Sequence, residues 1–548
     1  MFSSLHRNEY LEKINATTYD LAIIGGGITG AGIALEAASR GLKVCLIEKN
    51  DFASGTSSKS TKLIHGGLRY LKQFEIGLVR ESGTERNILH RLAPHLVVPE
   101  KMLLPLVEGG NYGEMITSIG LKIYDFLAHV DEDEKRKMFD KTKTLKKEPL
   151  LDPQVVLGSG FYTEYRTDDA RLTIEVLKKA VEFGATVINY CEMTSFEYTD
   201  SKIENLNCID LNTGNRLSVK ANNYVSATGP WVDKIRKKDV SLNHKRLHLT
   251  KGVHIVFPYE KLPIKQSIYF DVPDGRMVFA IPRGRICYVG TTDTNYSGDL
   301  DRVLTTNEDV NYLIEAVNNI FPSVNLSVND IESSWAGLRP LIHEEGKDPS
   351  ELSRKDEIFI SDSGLISIAG GKLTGYRKMA HRVLETVLKT IPSDRKENLK
   401  KSFTEDIELV TPAFQSDKDV KAFQNSLEKI LSSLGITDTY YAWYLCSNYG
   451  NNANVIIEKT KTFTSKNTLQ NLIRSEVWYC VHYEMANSLA DFFVRRTGRL
   501  YFDISSIKKH IDIITKDFAK YFDWNDARIS TEKESMKALI YDATHFYD

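Results

Sequence analysis

Cysteine is scarce and dispersed. The 548 residues hold six (Cys45, Cys191, Cys208, Cys287, Cys446 and Cys480), with no CxxC pair. That argues against a disulfide scaffold or a cysteine-held metal and fits a reducing compartment, with each thiol a small core residue. No metal site is expected. Long apolar runs are also missing: no 18 consecutive apolar residues occur, so no spanning helix is expected. The first 18 residues, MFSSLHRNEYLEKINATT, lack an apolar core and carry Glu9 and Glu12. They resemble neither a secretory signal nor a transit peptide, and the expected location is cytoplasmic. An excess of charge is lacking too. The net charge is −2 and no concentrated basic face stands out, so a nucleic-acid partner is not indicated. Hydrophobic content of 42% with 26% charged residues fits a soluble chain, long enough for two or three domains.

What is present begins with Tyr19 to Asp51, YDLAIIGGGITGAGIALEAASRGLKVCLIEKND. An apolar run (Leu21 to Ile24) enters Gly25-Gly26-Gly27 and Gly30, small residues follow at helical spacing, and a second apolar run (Val44 to Ile47) ends on Glu48. This is the strand, glycine turn, helix, strand and terminal acid of a dinucleotide-binding unit. Gly25 makes the tight turn, Gly27 lets backbone approach a pyrophosphate, and Gly30 lets helix and strand pack closely. The N–H groups at Ile28 and Thr29 then face the phosphates, aided by the helix dipole. Glu48, with Lys49 beside it, stands where a carboxylate would accept from a ribose hydroxyl. At this level NAD and FAD both fit.

A hydroxyl-rich loop follows, Asp51 to Lys62, in which Thr56, Ser57, Ser58 and Lys62 are candidates to bond the cofactor. Next come Leu63, Ile64, His65, Gly66, Gly67, Leu68, Arg69 and Tyr70, a histidine against a glycine pair. Here the sequence becomes specific. GGGITGAGIALEAASRGLKVCLIEKNDFASGTSSKSTKLIHGGLRYL resembles the N-terminus of the FAD-dependent glycerol-3-phosphate dehydrogenases and glycerophosphate oxidases. RTDDARL (166–172), VSATGPWVD (225–233), KGVHIVF (251–257), VGTTD (289–293), GLRP (337–340) and GGKLTGYRK (370–378) follow in the same order. SNYGNN (447–452) and SEVWYCVHYEMANSLADFFVRRTG (475–498) fit that family's helical end, so the resemblance spans nearly the whole chain.

The expected fold is α/β (α+β): a Rossmann-like FAD-binding domain of the glutathione-reductase/D-amino-acid-oxidase type, an antiparallel-sheet substrate domain and a C-terminal all-helical domain. After an N-terminal extension (1–18), the FAD domain is discontinuous, 19–75 with 150–240 and 341–390. The substrate or cap domain takes 76–149 and 241–340, and the helical domain 405–548. Asp168 to Phe183 reads as a helix and Ala185 to Tyr190 as a strand. Ser195 to Lys220 reads as a hairpin about Thr213-Gly214-Asn215, and Tyr224 to Gly229 as a strand entering a glycine turn. Residues 244–340 read as a mainly antiparallel sheet, and Ser361 to Ala369 as a strand entering a second glycine–helix turn. Gly120 to Leu127 is apolar at helical spacing. The lysine-rich run Asp131 to Lys147 reads as a solvated loop or as a contact with an anionic bilayer.

By the resemblance, the cofactor is FAD. Leu63, His65, Gly66, Gly67, Thr228, Gly229, Gly371, Lys372, Leu373 and Thr374 join the glycine turn around it. Lys372 and the neighbouring helix N-terminus suit the negative charge of a reduced flavin. His65 and His254 are unranked candidates for the base. A phosphate-bearing substrate calls for guanidinium groups, for which Arg69, Arg339 and Arg354 are candidates, assisted by Tyr70 and Lys372. Asp293 reads as structural. The implied activity is oxidation of sn-glycerol 3-phosphate to dihydroxyacetone phosphate, with electrons leaving to a quinone or to oxygen. A homodimer and a peripheral contact on the inner face of the cytoplasmic membrane are further implications. A flavin oxidase of an amine or amino acid is the alternative on the same fold, and a non-catalytic flavoprotein the third reading.

Overall fold

The computed structural model describes residues 2–65, 76–108, 110, 135–242, 245–342 and 356–548. Its organising layer is a six-stranded sheet in the order Asp356–Ile360, Leu365–Gly370, Tyr224–Ser226, Leu21–Ile24, Val44–Ile47, Thr186–Ile188. All pairings are parallel except that of the Asp356–Ile360 edge strand. The central strands are apolar on both faces because helices cover one side and the antiparallel strands Cys191–Thr199, Lys202–Asp210 and Arg216–Ala221 cover the other. Leu21, Ala22, Ile23, Val44 and Leu46 are all buried. Ile28–Ser39 packs against Asp169–Glu182 and Tyr376–Val387, with Gly32 lying under the Tyr376 ring.

A ten-stranded, largely antiparallel sheet forms the second body. Its longest ladder pairs Leu247–Pro258 with Ser333–Ile342. Val98–Val107 and Ser267–Asp271 form a parallel pair within it. The third body is helical: Asp417–Ser433, Tyr440–Tyr449, Ala453–Thr460, Thr468–Tyr483, Ile504–Phe522 and Asp526–Thr544. It docks on the large sheet, since Met102, Tyr288 and Trp335 share one apolar cluster with Phe492, Phe518 and Met536.

Several local expectations need correction. The 195–220 region is three strands, Cys191–Thr199, Lys202–Asp210 and Arg216–Ala221, not a single hairpin. Its first turn is carried by Asp200 and Ser201, both left-handed (φ 50° and 63°), a polar pair without the glycine that marks the second turn at Gly214. The sheet region also contains a helix, Asn307–Ile320, started by a Thr306/Asp309 capping box. The strand expected over 361–369 is Leu365–Gly370, reached by a turn from the antiparallel edge strand. The described part of the lysine-rich run is not a loop. Lys137–Asp140 is a strand, and Lys141–Lys147 is a helix capped by the Asp140 carboxylate on the Lys143 N–H. Gly120 to Leu127 lies outside the described residues. No described helix is long and apolar enough to cross a membrane, and the described residues hold no cluster fit for a metal.

Candidate active site

A cavity of about 380 Å³ runs along the carboxyl ends of the parallel strands. That is where open α/β sheets place a ligand. The glycine turn builds its floor. Gly25 is left-handed (φ 111°), and a Cβ there would stand 2.7 Å from the Ala227 carbonyl oxygen. At Gly30 a Cβ would stand 1.9 Å from the Gly25 oxygen, so only glycine allows this helix to meet this strand. Gly27 differs: its Cβ would meet only the Ser57 hydroxyl, at 3.1 Å, at the mouth of the helix. The Ile28 N–H donates to that same hydroxyl at 3.0 Å. Ile28, Thr29 and Ser57 all line the cavity, at the positive end of the helix dipole.

Glu48 closes the turn. Its carboxylate accepts from the Gly26 N–H at 2.6 Å and the Asn50 N–H at 2.9 Å, while burial pushes its pKa up. Lys49, Thr56, Thr228 and Gly229 also line the cavity. So do Gly371, Lys372 and Leu373, which come after the Leu365–Gly370 strand. Gly370 and Gly371 are left-handed (φ 75° and 80°), which turns this segment back across the sheet ends. A glycine turn, a helix N-terminus, a terminal acid and hydroxyl donors along one elongated cavity fit a dinucleotide.

Other candidates stand behind this wall. Ser58 is buried and its hydroxyl turns to the Gly55 carbonyl. Lys62, left-handed at φ 58°, pairs with Asp169 at 2.5 Å and donates to the Ser58 carbonyl. Leu63 is core, and the Thr374 hydroxyl donates to the His65 carbonyl at 3.5 Å. His254 is 2% exposed, stacked on Trp335, with Nε2 3.0 Å from the Thr61 hydroxyl. Burial, Arg339 and Lys62 hold its imidazole neutral, well below the usual histidine range. Neither His65 nor His254 is among the described residues lining the cavity. Arg339 bonds Asp293 at 3.1 Å and the Thr291 hydroxyl at 2.9 Å, next to the lining residue Pro340. Asp293 is thus the partner of that arginine. Gly66, Gly67, Arg69, Tyr70 and Arg354 lie outside the described residues.

Sequence reasoning passed over several lining groups. Ser60 and Asp169 meet at 2.6 Å, which fixes the hydroxyl loop to the first turn of a helix. The paired acids of RTDDARL were the available signal. Trp231, Lys234, Cys191 and Asp301 also line the cavity, and no local pattern marks Asp301.

Comparison with known proteins agrees with this architecture. The model of the FAD dependent oxidoreductases matches residues 20–377, and that of the C-terminal domain of alpha-glycerophosphate oxidase matches 371–529. The aerobic glycerol-3-phosphate dehydrogenase of Bacillus subtilis (strain 168) is 48% identical over 545 residues, covering 99% of this chain and 98% of that one. Its namesake from Staphylococcus aureus (strain MRSA252) is 47% identical over 551 residues, 100% and 98% of the two chains. The crystal structure of the glycerol-3-phosphate dehydrogenase from Bacillus halodurans complexed with FAD superposes with a TM-score of 0.84 at 38% identity, over 100% and 99% of the chains. Glycine oxidase from Bacillus cereus, at 19% identity and a TM-score of 0.52 over 71% of this chain and 99% of that one, shares the fold alone. The chain belongs to the FAD-dependent oxidoreductases, in the branch that carries the alpha-glycerophosphate oxidase C-terminal domain.

Proposed function

We propose that this chain oxidises sn-glycerol 3-phosphate to dihydroxyacetone phosphate. The observation that carries this reading is full-length similarity, at 47–48% identity, to proteins named for that dehydrogenation. Bound FAD supplies, at flavin N5, the acceptor for the hydride that leaves C2 of the substrate. The glycine turn and Ser57 position the cofactor's phosphates. Lys372, with the backbone at Gly371 to Thr374, stabilises negative charge that develops opposite the substrate. The proton of the C2 hydroxyl passes to His65 or His254. The Thr61 hydroxyl is the contact of His254 on the loop that lines the cavity, while the burial and the cations that hold its imidazole neutral weaken it as a base. Arg69, Tyr70, Arg339 and Arg354 bind the phosphate, and Arg339 does so by sharing or exchanging its Asp293 partner. The three-part domain division given above is the scheme we propose for this chemistry.

We further place the electron acceptor at a membrane surface, as a quinone, with the enzyme a homodimer on the inner face of the cytoplasmic membrane. Seven basic side chains (Lys135, Arg136, Lys137, Lys141, Lys143, Lys146 and Lys147) fall within 13 residues, and Leu157 on the adjacent strand is 58% exposed. Basic groups beside an exposed apolar side chain suit an anionic bilayer. Turnover tests the whole reading. Reduction of a soluble quinone with sn-glycerol 3-phosphate, and none with glycine or proline, is the expected result. Turnover with the amino acids and not the phosphate would favour the amine-oxidase alternative.

A further inference from the structure

A segment from another part of the chain reaches the outer rim of the cofactor cavity through Asp301. Residues 296–304 leave the large sheet after the short strand Thr294–Asn295, where the Tyr296 N–H donates to the Leu249 carbonyl. They return at Leu304, whose carbonyl accepts from Lys251, just before the Thr306 cap. Between these ends the segment holds its own shape. The Tyr296 hydroxyl donates to the Asp299 carbonyl at 2.7 Å, and the Asp301 N–H to the Asp299 carboxylate at 3.0 Å.

Two adjacent side chains at its tip point to different bodies. Asp301 lines the cavity and meets Lys49, after the second strand of the dinucleotide unit, at 3.4 Å. It meets Lys234, on the helix after the ATG turn, at 3.9 Å. Arg302 turns the other way and forms a two-pronged pair with Asp542 on the last helix (3.2 and 2.8 Å), with the Tyr547 hydroxyl 3.3 Å away.

We propose that residues 296–304 are a cofactor-retaining strap, latched by Asp301 onto Lys49 and Lys234 and braced by Arg302 against the C-terminal helix. FAD leaves when the latch opens, and the C-terminal domain slows that step by holding the strap in place. Both ion pairs are partly exposed (Asp301 is 39% and Arg302 59% exposed at the side chain), so the effect is modest and sensitive to salt.

The test is the rate at which flavin leaves the holoenzyme, read as the rise in free FAD fluorescence after dilution. Removing the latch with Asp301→Asn is expected to speed release by about 3- to 10-fold at low salt, the range open to two exposed pairs. The gain should disappear at about 1 M salt, where screening acts over roughly 3 Å. Asp301→Glu, which keeps the charge, should restore slow release. Arg302→Gln should speed release by a smaller factor, and the double variant should do no more than Asp301→Asn alone, because brace and latch act in series. Unchanged release in Asp301→Asn overturns the strap. Slower release does so as well, since it would mean that the carboxylate mainly repels the cofactor's phosphates. Fully additive effects of the two variants overturn the brace.

Discussion

Replacing Asp51 by Asn should unseat the C-terminal domain from the cofactor domain. Asp51 is 1% exposed, in the loop that follows the Val44–Ile47 strand. It accepts from both terminal nitrogens of Arg496 at 2.8 and 2.9 Å, from Asn189 at 3.0 Å, and from Arg495. Burial alone would raise its pKa, but Arg496 and Arg495 overcome this and bring it from 3.8 to about 2. At 1.36 kcal/mol per unit, that shift is worth about 2 kcal/mol of stability. Because the folded pKa is depressed, this contribution is fully present above about pH 4 and drains away as the pH falls towards about 2. Asparagine does more harm than the loss of that amount, since among the described residues it leaves Arg495 with Asp491 and the buried Arg496 with only the Glu484 carbonyl, a loss of about 3–5 kcal/mol. With an unfolding entropy of roughly 2.1 cal/mol/K per residue, a chain that melts as one unit should lose about 3–4 °C in Tm. Thermal melts at pH 7 and pH 3 are the assay, and the gap between wild type and variant should narrow in acid. A cycle with Arg496→Gln should show coupling of more than about 1 kcal/mol. A melt within one degree of wild type at pH 7, or additive single variants, would refute the reasoning.

Three further outcomes follow from the same structure. Gly30→Ala should fail to hold FAD and should also destabilise the apoprotein, because its Cβ meets backbone at 1.9 Å, whereas Gly27→Ala should fold with a Tm near wild type yet bind FAD at least about tenfold more weakly. Equilibrium binding and apoprotein melts separate the two. Lys372→Met should retain flavin while flavin reduction slows by about 10²- to 10³-fold in stopped-flow experiments, the range for losing one preorganised charge. Neutralising Lys141, Lys143, Lys146 and Lys147 together should abolish sedimentation with anionic vesicles at low salt and leave turnover with a soluble quinone unaltered, and retained sedimentation would remove this segment from the membrane contact.

The dinucleotide unit was legible because each of its signals is local. Glycines at fixed spacing, two short apolar runs and a terminal acid define the turn before any tertiary contact forms. The large sheet was legible in outline from strand-like runs such as His248 to Pro258 and Ile286 to Gly290. What escaped was marked only weakly or set at a distance. Asn307–Ile320 carries an apolar stripe (Val310, Leu313, Val317, Ile320) and a capping box, but it sits inside a region dominated by strand signals. Asp526–Thr544 buries only Glu532, Met536 and Ala543, too few for periodicity to announce it. The rim of the site was beyond sequence reasoning for another reason. Lys49, Lys234 and Asp301 come from three separate segments, and only the folded chain brings their charges together.

The most direct test of the central claim is the reductive half-reaction. The holoenzyme, free of oxygen, is mixed with sn-glycerol 3-phosphate while the flavin band near the blue edge of the visible spectrum is followed. The account predicts full bleaching, one dihydroxyacetone phosphate formed per flavin reduced, and no bleaching by glycerol, which lacks the phosphate the arginines bind. A flavin that stays oxidised with sn-glycerol 3-phosphate, or that glycerol reduces equally fast, would contradict it.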